Sequence, residues 1–204
     1  KATSVESADE IKTVLAEDGM SVINVSKDLT LSEVIVIPAG KEAVINLNGK
    51  IVTNFEDLWD ESKNDWSVIS VRGSKLILKG NGTIKAKKDD AFAVDVMDGG
   101  SVTIEDGTYV GNMSSVYVFE GSAEILGGKY SIQQLSENPD PYGYVLNCYD
   151  ANRKAGTAKI IVSGGEFEKF NPADCVAEGA HTNFLAPGYK SEQNGDSYVV
   201  VPAI

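Results

Sequence analysis

One small β-rich unit recurs along this chain, and that recurrence constrains the fold more than any other feature. Its cleanest copy is AFAVDVMDGGSVTIEDGTYVGN, residues 91–112, three apolar-alternating runs punctuated by Gly99-Gly100 and Asp106-Gly107. WSVISVRGSKLILKGNGTIKAK precedes it and SSVYVFEGSAEILGGKYSIQ follows it. Aligned on the second turn, the copies read INLNGKI (45–51), LKGNGTI (78–84), TIEDGTY (103–109), EILGGKY (124–130) and IVSGGEF (161–167). The glycines fall at 49, 82, 107, 128 and 165, and two places on stand Ile51, Ile84, Tyr109, Tyr130 and Phe167. Their spacings of 33, 25, 21 and 37 imply a minimal unit with insertions. A unit of this size cannot bury its apolar side alone and must stack on its neighbours.

Asn-Gly and Asp-Gly between apolar runs are also hairpin signals, so an antiparallel sandwich is the competing architecture. Each middle repeat, however, holds a third run upstream: Ile69/Val71, Val94/Val96 and Val116/Val118. Three strands per repeat suit one coil of a parallel β-helix better than a hairpin. The expected fold is therefore all-β, a single domain of about five to six coils over 20–170. Residues 1–19 form an N-terminal helical cap and 171–204 a C-terminal β cap. Within the first cap a helix is expected over 3–19. Ser7-Ala8-Asp9-Glu10 matches a capping box in which Glu10 reaches back to the cap, Ile11, Val14 and Leu15 share a face, and Gly19 ends it.

The chain has 204 residues and a formal charge of −12, from 30 acidic and 18 basic residues. Nucleic-acid binding needs a basic face to neutralise phosphate, so no nucleic-acid partner is expected. No run of eighteen apolar residues exists, so no membrane span is expected. The expected location is secreted or cell-surface, with any signal peptide already removed ahead of Lys1. Cys148 and Cys175 permit one disulfide; two buried free thiols are the equal alternative.

The repeats, the capping helix and the phrase VINLNGKIVTN together resemble the right-handed parallel β-helix of the pectin-lyase-like superfamily, and more narrowly its short bacterial and phage-type members of unassigned function. The resemblance covers about residues 5–170. The tail, with ADCVAEG and GYK…YVVVP, is similar to the closing segment such proteins carry.

Length varies most at the turns 54–66, 86–91, 111–115 and 133–143. In a stacked fold these insertions gather along one edge, bringing Trp59, Trp66 and Tyr142 among acidic residues. The run following that turn carries a second signal. With Val94 and Val96 inward, Asp95 and Met97 face outward; so do Ser70 and Arg72, Tyr117 and Phe119, Asn147 and Tyr149. An outward aromatic strip marks a contact surface. The candidate ligand set is Arg72, Asp95, Tyr117, Phe119, Asn147 and Tyr149, with Trp59 and Tyr142 from the loops.

In the resembled superfamily, polysaccharide lies along such a face, which implies glycan binding or adhesion. The alternatives are a homo-oligomer interface, a strip covered by its own loops, or an enzyme. The lyases resembled here use a basic residue with Ca²⁺-binding Asp clusters, of which this chain has only Arg72 and Asp95 in the right region. The hydrolases need paired carboxylates, and only Asp95 lies on the face. Ca²⁺ is otherwise suggested only by Asp57, Asp60 and Glu61, whose spacing does not match an EF-hand loop. No other cofactor is expected. Cys175 and His181, six apart, form a weak nucleophile pair.

Overall fold

Alternating apolar and polar residues turn successive side chains of an extended chain to opposite faces. The computed structural model describes residues 2–134 and 143–204, where this alternation produces three sheets. In spatial order, the first runs Ala2–Val5, Ser21–Val25, Glu42–Asn46, Lys75–Lys79, Gly100–Ile104, Gly121–Ile125 and Ala158–Val162. The second runs Ile35–Ile37, Ser67–Arg72, Phe92–Met97, Val116–Val118 and Leu146–Cys148. The third runs Leu29–Leu31, Ile51–Asn54, Thr83–Lys85, Thr108–Gly111, Lys129–Ile132 and Glu166–Glu168, then Ser197–Pro202 and Tyr189–Asn194. From Ser21 to Glu168 the chain visits the first, third and second sheets in rotation, and strands of successive repeats pair in parallel.

Register turns the repeat into a core. Ile23, Ile45, Leu78, Ile104, Ile125 and Val162 stand opposite one another across the first sheet. Ile35, Ile69, Val94, Val116 and Leu146 do so across the second. Leu29, Val52, Ile84, Tyr109, Tyr130 and Phe167 form the third ladder. All of these side chains are buried.

The expected β-helix of five to six regular three-strand coils is corrected here. The described residues form unequal sheets of seven, five and eight strands, the last one mixed, with two short helices at Ala8–Leu15 and Asp150–Ala155, and this is not a regular solenoid. Local chemistry produces the inequality. Ala2–Val5, of which Thr3, Ser4 and Val5 were expected within a helix, is a strand that extends the first sheet by pairing with Val22–Val25. At the other end the tail folds back as a hairpin, antiparallel to Glu166–Glu168. The second sheet receives neither addition.

The helix therefore begins later than expected. Ser7 Oγ accepts from Glu10 N at 3.1 Å, while the Glu10 carboxylate takes Glu6 N at 3.4 Å rather than the cap's own amide. Ile11, Val14 and Leu15 are buried against the underlying strands. At the opposite end, Val162 donates to Phe184 O and receives from Ala186 N, both at 2.8 Å, tying 171–186 beneath the last repeat.

Glycine followed two places later by an aromatic has a specific cause. Tyr109 and Tyr130 stack at 5.4 Å, and Tyr130 and Phe167 at 4.9 Å. Each tyrosine curls back so that its hydroxyl donates, at 2.7 Å, to a carbonyl three residues upstream, Asp106 O or Gly127 O. The ring tip then occupies the space a turn side chain would need. A Cβ on Gly128 would lie 2.8 Å from Gly107 O and 3.0 Å from the Tyr130 hydroxyl, and its φ of +100° already excludes most residues.

Truncating this stack tests its weight. Tyr130→Ala is expected to cost about 3–5 kcal/mol, and Tyr130→Phe, which only orphans the Gly127 carbonyl, about 1 kcal/mol. Urea unfolding read by circular dichroism measures both; equal losses would show that the hydroxyl, not the stacked ring, is the main contributor.

Candidate functional site

The link between Ile51–Asn54 and Ser67–Arg72, residues 55–66, folds as a strap across the outer face of the second sheet. Asp90 anchors its base. That buried carboxylate accepts from the backbone amides of Leu58 at 2.9 and 3.0 Å and Trp59 at 3.1 Å, and from Asn54 Nδ2 at 2.7 Å. Farther along, Asp60 and Asp65 exchange backbone hydrogen bonds of 2.9 and 3.0 Å, closing a tight loop. Asp60 caps the turn Glu61–Lys63 by accepting from Ser62 N and Oγ, and Asn64 turns the chain at φ 57°, a conformation asparagine tolerates well. Closing the loop brings Trp59 and Trp66 edge to face at 4.7 Å.

The sheet meets the strap with aromatics. Trp59 packs on Phe92 at 5.5 Å, Phe92 stacks on Tyr117 at 4.8 Å, Tyr117 touches Phe119 at 4.6 Å, and Trp66 lies 5.9 Å from Phe119. Arg72 holds the strap's tip, its Nη2 donating to Asn64 O at 3.0 Å and to Asp65 Oδ1 at 2.8 Å. Asn64 Nδ2 also reaches Met97 Sδ at 3.2 Å.

The outward register expected for these residues is found: Ser70, Asp95, Tyr117 and Asn147 stand side by side, with Arg72 opposite Met97. Openness to solvent along the whole strip is not. Ser70, Asp95 and Met97 are buried, Arg72, Tyr117, Phe119, Asn147 and Trp59 are partly exposed, and only Tyr149, at 48%, is open. Loops carry no periodicity, so their fold-over leaves no signal in the sequence. Tyr142 lies outside the described residues. Phe92 was hidden because alternation breaks at Ala93-Val94, both of which join the core. Asp65 belongs to the acidic loop edge expected from the sequence, but its bond to Arg72, and the part played by Asn64, are recognisable only once the strap is seen folded.

Asp95 is the chemically distinctive group. Ser70 Oγ donates to its Oδ1 at 2.5 Å and in turn accepts from Arg72 Nε at 2.9 Å, while Oδ2 has no partner. Burial pushes the carboxyl up to about 7; the Ser70 and Ser67 hydroxyls and the Arg72 guanidinium pull it back down, and Asp65 adds to the rise. Arg72 and Asp95 are thus linked through Ser70 rather than directly paired, and the second carboxylate of this face, Asp65, is bound to Arg72.

Other sequence candidates disperse. Asp57 pairs with Lys87 at 2.8 Å and Asp60 serves its own turn, so with Glu61 they offer no converging oxygen set, and Ser70 and Tyr117 flank Asp95 where Ca²⁺ would need carboxylates. Among the described residues no three His, Cys, Asp or Glu side chains group as metal ligands. Cys148 and Cys175 are buried free thiols, both pushed up by burial, Cys148 to about 12. The Cys175 thiol faces Leu146 O, while exposed His181 bonds Asp174 at 2.7 Å, so they form no nucleophile pair. Sequence reasoning did not foresee a cavity of about 400 Å³ between the helix Ala8–Leu15 and the edge strand Ile35–Ile37, with Lys63 and Asp65 on its rim.

Compared with known protein families, curated proteins and solved structures, the chain matches none. Among the described residues no helix is long and apolar enough to cross a membrane.

Because the folded state holds the Asp95 proton more tightly than the unfolded chain, its contribution is fully present below the ordinary carboxylate range and is lost as pH rises through about 7. Asp95→Asn removes that loss. Urea unfolding at pH 4 and pH 8.5 is expected to show the variant gaining on the native chain by up to roughly 4 kcal/mol at the higher pH; a pH-independent difference excludes the buried acid as its source.

Proposed function

We propose that this chain is a non-catalytic binding module, secreted or displayed at a surface, that contacts neutral carbohydrate through the aromatic face of its second sheet. The observation that carries this reading is the joined set of partly exposed rings, Trp59, Trp66, Tyr117 and Phe119, with half-open Tyr149 on the same face. Sugar rings present apolar C–H faces that stack on aromatics, and their hydroxyls need directional partners. Asn147 and Arg72, both partly exposed, lie beside the rings in register. The scaffold supports recognition because parallel strands fix the positions of Tyr117 and Phe119, while Asp90 and Arg72 fix the two tryptophans.

Charge selects among glycans. A chain of net charge −12 repels uronates and sulfated polymers, particularly at low salt. Catalysis has less support, since Asp65 is engaged by Arg72 and Asp95 is buried.

Calorimetry with cello-, xylo- and malto-oligosaccharides beside polygalacturonate tests the proposal. Binding to at least one neutral series is expected, with affinity falling about tenfold in Tyr149→Ala, an exposed ring whose loss leaves the fold intact. Chain cleavage would favour the enzyme instead, and a dimer dissociated by Tyr149→Ala would favour a subunit interface.

A further inference from the structure

Stacking on rings does not explain Asp95. At the same register the neighbouring strands place Val36, Ser70, Tyr117 and Asn147, so the position does not demand a carboxylate. A carboxylate is nevertheless present, wholly buried, with one oxygen supplied by Ser70 and the other without a hydrogen-bond partner, the nearby Ser67 hydroxyl being turned to Ile69 O at 2.8 Å. Such orphaned buried oxygens are rare because nothing replaces the water they lose. The cover over this face is the strap, and it is held unequally. Its ends are fixed, Leu58 and Trp59 by their amides on the buried Asp90 carboxylate and Trp66 by its carbonyl, which accepts from Phe92 N at 2.8 Å, whereas the tip between them is held by Arg72 and one Asn64–Met97 contact. Arg72 is also the group that supports Ser70 against Asp95, so the clasp and the polar floor share one residue.

Resting on the carbohydrate reading above, we propose that the strap tip, residues 60–65, is a lid over a ligand subsite, and that Asp95 Oδ2 accepts a hydrogen bond from a sugar hydroxyl once the lid lifts. The ligand chemistry follows from the floor. Oδ2 lacks a donor, Ser70 and Arg72 hold the other side of the carboxyl, and Tyr117 stands beside Asp95 in register with Phe92 stacked on it, a combination suited to a ring with an apolar face and a hydroxyl. Lifting breaks the Arg72 clasp and leaves the Asp90 anchor and the Trp66 carbonyl bond in place, so the lid turns about its two ends.

Both tryptophans of the chain lie on the strap, one at each end of the tip, so intrinsic emission reports the tip's movement. The native chain, Asp95→Asn, Arg72→Gln and Tyr149→Ala are titrated with the same cello-, xylo- and malto-oligosaccharides, following affinity, tryptophan emission and acrylamide quenching. Saccharide binding is expected to raise quenching of the native chain. Asp95→Asn, nearly the same shape but presenting N–H where an acceptor is needed, is expected to bind at least tenfold more weakly. Arg72→Gln is expected to show raised quenching without any saccharide. Binding lost in Tyr149→Ala but retained at full strength in Asp95→Asn, or binding with unchanged emission and quenching, overturns the lid while leaving the aromatic site standing. Absence of binding to every saccharide overturns both.

Discussion

Everything in this structure depends on like positions landing on like positions. Parallel, in-register pairing places Ile104 over Leu78 and under Ile125, and Tyr130 between Tyr109 and Phe167. A residue that suits one repeat therefore suits its neighbours, and the core extends as continuous ladders through all three sheets. The same constraint acts on the outside. Because inward residues align, outward ones must also align, and polar or aromatic choices in single repeats accumulate into one shared surface.

How much of this was legible follows from that constraint. The ladders could be read directly, since period-two alternation and the recurring glycines mark Val94, Val96, Val102, Ile104 and Tyr109 as inward. So could the outward register of Arg72, Asp95, Tyr117 and Phe119. The strand Ala2–Val5 could not, because four residues beside a strong capping signal have no pattern of their own, and pairing with Val22–Val25 decides the matter. The strap was invisible for a related reason. Its path is set by Asp90 and Arg72, twenty-four residues and six residues beyond its last tryptophan, and no local rule connects them.

That strap changes the meaning of the acidic residues read from the sequence. Asp57, Asp60 and Asp65 look like one cluster along the chain, yet each is engaged separately. Asp57 forms an ion pair with Lys87, Asp60 caps a turn, and Asp65 is the clasp on Arg72. Asp90, in the short turn before Phe92, holds more of the loop than any of them. Burial, rather than density of charge, separates a structural carboxylate from a solvated one, and Asp95 is set apart from both by its unpaired oxygen.

The unequal sheet ends carry a consequence for assembly. The third sheet finishes on Tyr189–Asn194, an edge bearing the exposed Lys190–Glu192 pair, and charged edges resist docking of another strand. The first sheet finishes on Ala2–Val5, whose exposed residues Ala2, Thr3 and Ser4 carry no charge at all. These two edges therefore differ in what they offer another strand: Lys190 and Glu192 put charge in its path at one, and no charged side chain stands on Ala2–Val5 at the other.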